Sequence, residues 1–232
     1  MKVYAISDLH LSSAQVKPME IFGCCWENYW ELIESDWRKK VAPDDIVLIP
    51  GDISWAMRLE DALPDIKQFS ALNGKKIILR GNHDYWWAAI SKVRAALPQN
   101  TYALQNDCFK FGNVIVCGSR CWTCPGSTGF DEKEDRRIYE REVLRLEMSF
   151  AAAAKLREKG DKLICMTHFP PFNVNREDSG FTKLIASNNA DAVVYGHLHG
   201  KDARADLVLN KFGTTFYLAS TDLTGHKLVE IK

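Results

Sequence analysis

Five short polar blocks punctuate this chain, and each directly follows an apolar, β-branched run of strand length. The runs are residues 3–6, 46–49, 77–79, 163–166 and 192–195. The blocks behind them are Asp8-Leu9-His10, Gly51-Asp52, Gly81-Asn82-His83-Asp84, Thr167-His168 and Gly196-His197-Leu198-His199. Five of the six histidines fall inside them. In an open α/β sheet, side chains just past the carboxyl ends of neighbouring strands converge on one crevice, so residues remote in sequence can meet there. The chain is therefore expected to be α/β, with these blocks gathered into one polar site.

The intervening segments fit that expectation. Trp26, Trp30, Ile33 and Trp37 recur at spacings of three and four, which predicts an amphipathic helix over residues 19–40 with its tryptophans in the core. Further helices are expected over 59–72, despite Pro64, and over 86–97, stopped by Pro98. Short strands follow at 101–104, 108–111 and 114–117, the last two joined by a turn at Gly112-Asn113. Residues 120–130 show no periodicity, and the longest helix is expected over 131–159, with acidic residues in its first turns as the helix dipole favours. Strands at 206–209, 214–219 and 227–231 complete the pattern, with no repeat and no linker, so one domain over 1–232 is expected.

Composition narrows the function classes. Apolar residues make up 46% and charged residues 26%, ordinary for a globular chain. No apolar stretch reaches the ~18 residues of a membrane span. Thirty basic residues balance thirty acidic ones, so no global basic field draws nucleic acid, which is a less favoured partner. Seven cysteines without framework spacing suit reduced thiols, and with no signal-peptide pattern before the first block a cytoplasmic location is expected.

The blocks supply N and O donors of the kind that hold paired cations. Asp8 and His10, at i and i+2, can face one ion, as can His197 and His199, while Asp52 follows a glycine that permits a tight turn. Two divalent ions ~3.5–4 Å apart also need a shared carboxylate to screen their repulsion. Imidazole, carboxylate and amide donors without thiolate suit manganese, iron or zinc.

Taken in order, Asp-x-His, Gly-Asp, Gly-Asn-His-Asp, a lone His and Gly-His-x-His resemble the calcineurin-like metallophosphoesterases, over residues 8–199. The resemblance implies a four-layer α/β/β/α sandwich of two mixed sheets flanked by helices. It implies a first metal on Asp8, His10 and His199, a second on Asn82, His168 and His197, and Asp52 bridging both. A metal-activated hydroxide would then attack phosphorus in line. His83 would protonate the leaving group, and Asp84 would either orient it or cap the next helix. Arg80, in Leu-Arg-Gly-Asn-His, matches the phosphoprotein-phosphatase form of the motif, in which that arginine contacts phosphate.

The expected reaction is hydrolysis of phosphate esters, most readily monoesters. A phosphodiesterase acting on nucleotides or nucleic acid is the alternative, and a non-catalytic protein-binding scaffold the second. Cys121 and Cys124 read as free thiols in a flexible loop, because no second Cys pair stands at zinc-ribbon spacing. Arg120 and Trp122 in that loop are candidates for the wall of the cleft. His226 reads as a surface histidine. Trp55, Trp86 and Trp87 belong either to the core or to the pocket rim.

Overall fold

The computed structural model describes residues 1–14, 17, 19, 26–200, 203 and 205–232. Its first half is a run of parallel β-α units: β1 (Val3–Ala5), α1 (Tyr29–Lys40), β2 (Ile46–Ile49), α2 (Leu59–Ser70), β3 (Lys75–Ile78), α3 (Ile90–Ala96) and β4 (Thr101–Ala103). The hairpin β5 (Cys108–Phe111) and β6 (Val114–Ser119) leads to α4 (Asp135–Ala154), β7 (Lys162–Thr167), α5 (Gly180–Ser187) and β8 (Ala192–Tyr195). β9 (Val208–Lys211), β10 (Thr214–Leu218) and β11 (Val229–Glu230) close the chain.

These strands form two mixed sheets, one ordered β11-β1-β2-β3-β4 and the other β5-β6-β7-β8-β10-β9. Among the described strands only β11, β5 and β9 run antiparallel to their neighbours, each at an edge. The period-two alternation of the strands decides what lies between the layers. Val3, Ala5, Ile46, Leu48 and Ile77 of the first sheet meet Val116, Ile164, Met166 and Val194 of the second in a dry inter-sheet core. The alternate residues Tyr4, Val47, Ile49 and Ile78 pack under Ile33, Trp37, Ile66 and Val93 of the first three helices. On the opposite side Ile115, Cys117, Cys165 and Val193 pack under Leu146 and Phe150 of α4 and Phe181 and Ile185 of α5. Three apolar layers between four layers of structure give the α/β/β/α sandwich. No described helix is long and apolar enough to cross a membrane.

Several element boundaries depart from the sequence expectation, each for a local reason. Of the helix expected over 19–40, only Tyr29–Lys40 is α-helical among the described residues, and positions 20–25 lie outside them. The helix expected from Trp86 begins at Ile90, because the Trp86 indole donates to Asp84 Oδ1 and holds the preceding segment in turns. α4 begins at Asp135 because the Asp131 carboxylate takes the N–H groups of Lys133 and Glu134 into a turn. Periodicity does not reveal α5; its eight residues are started by a capping box between Ser179 and Thr182.

The loops at the carboxyl ends of the strands are tied together. Ser7, after β1, forms an isolated parallel bridge with Ser220, after β10, so the two sheets touch there. The Ser7 N–H donates to Ala219 O at 2.7 Å and the Thr221 N–H to Ser7 O at 3.1 Å.

Candidate metal centre

All five blocks meet at this junction of strand ends. Asp8 and His10 follow β1, Asp52 follows β2, Asn82 and His83 follow β3, His168 follows β7, and His197 and His199 follow β8. Both sheets therefore contribute. Four of these residues, Asp8, His10, Asp52 and His197, carry φ values of 61°, 46°, 52° and 71°. Left-handed backbone costs a non-glycine residue about 1–2 kcal/mol, so the surrounding structure must hold it. Asp8 N–H donates to Gly51 O and His10 N–H to Asp52 O, both at 3.0 Å, while His197 N–H donates to both Asp8 carboxylate oxygens.

Two glycines in the blocks are required by contact rather than by φ. A Cβ on Gly81 would overlap Asp52 Oδ1, and one on Gly196 would overlap Ser7 Oγ and Asp8 Oδ2. The chain approaches these carboxylates too closely for any side chain.

The donors fall into two adjoining groups. In the first, one donor atom from each of Asp8, His10, Asp52 and His199 lies within 4.8 Å of the others. His199 Nε2 stands 3.2 Å from Asp8 Oδ1 and 3.4 Å from His10 Nε2. In the second, Asn82 Oδ1 lies 2.6 Å from His168 Nε2 and 2.9 Å from His197 Nδ1. Asp52 Oδ2 adjoins both groups, 3.9 Å from His10 Nε2 and 3.5 Å from His168 Nε2.

The proton inventory of this cluster fits a cation. His168 Nδ1 lies 2.9 Å from Pro50 O, which can only accept, so Nδ1 carries the proton and the Nε2 lone pair points at the Asn82 oxygen. His199 likewise donates Nδ1–H to Asp222 Oδ1 at 3.0 Å and turns Nε2 inward. His10 Nδ1 is buried without a hydrogen-bond partner among the described residues. Burial pushes His10 and His168 down to about 3 and His197 to about 4, keeping them neutral and ligand-competent. Burial also acts to lower His199, but Asp222 and Asp8 outweigh it and carry it up to about 10. Burial would raise Asp8, yet the His199 hydrogen bond and the neighbouring imidazoles pull it well below the usual carboxylate range. Burial, then the charges of Asp8 and Asp84, push Asp52 up to about 9. Buried carboxylates crowded among inward-turned ring nitrogens are the electrostatic demand that divalent cations meet.

His83 sits half-buried at the rim. Its N–H donates to Asp52 Oδ1 at 2.8 Å, and its ring lies 5.8 Å from that of His10 and 4.9 Å from Trp55. Burial and the charge of His199 lower it. Trp55 stacks on His10 at 4.7 Å and so borders the site, whereas Trp86 and Trp87 are core residues.

Asp84 neither hydrogen-bonds the His83 ring nor caps α3, whose N-cap is Ala89. It accepts from the N–H groups of Asp52, Ile53, Ser54 and Gly81 and from the Trp86 indole. Burial raises this carboxyl, and those donors act against the rise. Its work is to clamp the second block to the third. Arg80 is not hydrogen-bonded to the donor cluster; it lines a separate cavity beside it.

Asp222 is a site residue the sequence reading missed, as are the Pro50 carbonyl and Ser220, which donates to Asp8 Oδ2 at 3.0 Å. A signal for Asp222 exists, since Ser220-Thr221-Asp222 is one more polar block behind an apolar strand. Other expectations are corrected. Cys121 and Cys124 are unbridged, but they are buried in the core beneath α4 rather than lying in a flexible loop, and burial raises both thiols, Cys124 to about 12. His226 is buried, its Nδ1 paired with Thr221 Oγ1 at 3.1 Å and its ring against Trp26. Trp122 donates to Asp135 and packs on Phe169, so Thr123 and Ser127 of that segment, not Trp122, line the cleft. That cleft, about 700 Å³, runs from His197 and His199 past Phe169, Phe172 and Leu209.

The sequence profile of the calcineurin-like phosphoesterases matches residues 1–201. No curated protein matches the chain. Among solved structures, a phosphopantetheinyl hydrolase from Mycobacterium tuberculosis is similar with a TM-score of 0.60 and 16% identity, over 99% of this chain and 95% of that one. A protein from Thermus thermophilus aligns with a TM-score of 0.61 and 13% identity, over 99% and 97%. A protein of unknown function from Aquifex aeolicus gives 0.52 and 15%, over 99% and 95%. At these identities the structural likeness speaks for the fold.

Proposed function

Because the chain belongs to the calcineurin-like phosphoesterase family, we propose that it hydrolyses phosphate esters, most readily monoesters, with two divalent metal ions. The observation that carries this reading is the convergence of Asp8, His10, Asp52 and His199 on one point, adjoining the Asn82, His168 and His197 group. Asp8, His10 and His199 are assigned to the first ion, Asn82, His168 and His197 to the second, and Asp52 to both. Manganese, iron and zinc suit this donor set. When bound, such ions draw charge from phosphate oxygens and lower the pKa of water toward ~7.

The chain's own groups set the rest. Asp222 and the Pro50 carbonyl hold the Nδ1 protons of His199 and His168 on the outer side, so the inward Nε2 atoms are the ones offered to an ion. Ser220 and the His197 N–H orient the Asp8 carboxylate. His83, at the rim and tied to Asp52 through its backbone, is positioned to give a proton to the leaving alkoxide, a role typically worth about 10²–10⁴ in rate. The five cysteines among the described residues are unbridged, which supports action in a reducing, cytoplasmic setting.

A phosphodiester substrate is the second reading, favoured by the cleft of about 700 Å³ that leads away from His197 and His199 along an aromatic wall. It has room for a second ester arm, and one fold relative is named a phosphopantetheinyl hydrolase. A panel of phosphomonoesters, phosphodiesters and nucleotides, assayed with manganese, zinc and iron, separates the two. Metal-stimulated turnover highest on monoesters is expected; turnover confined to diesters would favour the second reading. Inert protein that binds no metal would leave only the scaffold.

A further inference from the structure

Beside the second donor group lies a cavity of about 400 Å³ that the metal chemistry does not use. Four arginines line it, Arg80, Arg120, Arg141 and Arg145, against a single carboxylate, Glu142. Four guanidinium charges less one carboxylate leave three positive charges uncompensated. Glu142 is itself 1% exposed, and Arg145, Arg141 and Arg120 all converge on its Oε1, at 2.7, 3.5 and 3.9 Å. One oxygen cannot satisfy three forks.

These charges are divided between water and the interior. Arg141 and Arg145 stand at the mouth with side chains 49% and 41% exposed, whereas Arg120 is only 18% exposed. Arg80 Nε is buried without a hydrogen-bond partner among the described residues. A buried guanidinium N–H left unpaired is costly, and an oxyanion is the group whose geometry the fork matches. Burial and the neighbouring Arg80, Arg141 and Arg145 charges lower Arg120 against the opposing pull of Glu142, a sign that the guanidinium groups are crowded.

The cavity is wired to the donor cluster at two points. Arg80 is two residues before Asn82. Arg120 O accepts the His168 N–H at 3.2 Å. We infer that this arginine cavity binds a second phosphate group of the substrate while the ester to be cleaved sits at the donor cluster. The preferred substrates are then small molecules carrying two phosphates rather than one. The cavity serves this purpose only if the neighbouring cluster hydrolyses phosphate esters, the reading proposed for it.

Two measurements on the metal-loaded 232-residue chain test this, each made on the parent and on the double variant R141Q/R145Q. Both side chains are only partly exposed, at the mouth of the cavity, and an unchanged circular dichroism spectrum and Tm would show the fold retained. Calorimetric titration with inorganic phosphate should give two sites in the parent and one in the variant. The second measurement is kcat/KM for alkanediol monophosphates and bisphosphates of matched chain length. The bisphosphates should be favoured at one optimal length, and the variant should cut the bisphosphate-to-monophosphate ratio about tenfold, as expected for lost charge-assisted hydrogen bonds. Equal phosphate stoichiometry in parent and variant would overturn the site. A lost phosphate site with no bisphosphate preference would overturn the substrate assignment and leave a pocket for free anion. One site in the parent, none in the variant and no turnover of any ester would sustain the anion site while sinking the phosphoesterase reading.

Discussion

Asp52 is the residue on which both donor groups depend. Its Oδ2 adjoins His10 and His168, and its Oδ1 takes the His83 N–H, so the carboxylate joins three blocks at once. Replacing it by Asn keeps the shape and removes the charge that, on the proposed reading, would screen two cations from one another. Asp52→Asn is therefore expected to lower turnover by at least about 10³-fold and metal content from two equivalents to one or none; near-normal values in a metal analysis paired with a phosphatase assay would count against a bridge. If His83 is the proton donor proposed for it, His83→Ala would separate metal binding from proton delivery. Metal content should hold, and the rate should fall by about 10²–10⁴ for esters of poorly acidic alcohols, with little loss for nitrophenyl esters. Equal losses for both would remove His83 as the acid. At this scale the sequence is informative, because each of the seven candidate donors lies in a motif whose type and spacing signal its chemistry. What it hides are backbone partners and remote carboxylates. The Pro50 carbonyl has no side chain to recognise, and Asp222 meets His199 only through the fold.

Between elements, the decisive contact is Asp84. It draws the loops after β2 and β3 together by accepting four backbone N–H groups and one indole N–H while fully buried. An amide in its place presents an NH2 toward groups that can only donate. Asp84→Asn is expected to cost about 2–4 kcal/mol in urea unfolding, from lost charged hydrogen bonds and stranded donors. Metal affinity should fall with it, because Asp52 N–H and Gly81 N–H lose their anchor. A loss under about 0.5 kcal/mol would show the clamp to be dispensable. The same contact explains an expectation that failed. The sequence pattern of Trp86, Trp87 and Ala89 suits a helix, but the Trp86 indole is committed to Asp84, so α3 starts later. α5 escapes notice for the opposite reason: eight residues are too few to display a period, and its start signal has Thr182 where a capping box usually has Glu or Gln. Strands with alternating or continuous apolar residues are legible, whereas short capped helices are not.

For the whole molecule, the site is where two sheets are joined. The first contributes Asp8, His10, Asp52 and Asn82, and the second His168, His197 and His199, across the Ser7–Ser220 bridge. Four left-handed residues and a cluster of buried carboxylates make this junction costly to hold in the absence of cations. Bound metal should thus stabilise the sandwich as well as activate it. At a free metal concentration 100-fold above Kd, each ion contributes about 2.7 kcal/mol, so Tm should rise on addition of manganese and fall after chelation. A Tm indifferent to both would separate the cluster from metal binding. The strands and the four layers follow from runs and blocks together, while the arginine cavity does not, since Arg80, Arg120, Arg141 and Arg145 come from three separate stretches that only the folded chain brings together. The most direct measurement is anomalous diffraction from crystals grown with manganese. Two peaks about 3.5–4 Å apart, both within coordinating distance of Asp52 and divided between the His10/His199 and His168/His197 groups, are the predicted result. A single peak away from Asp52, or none, would contradict the account.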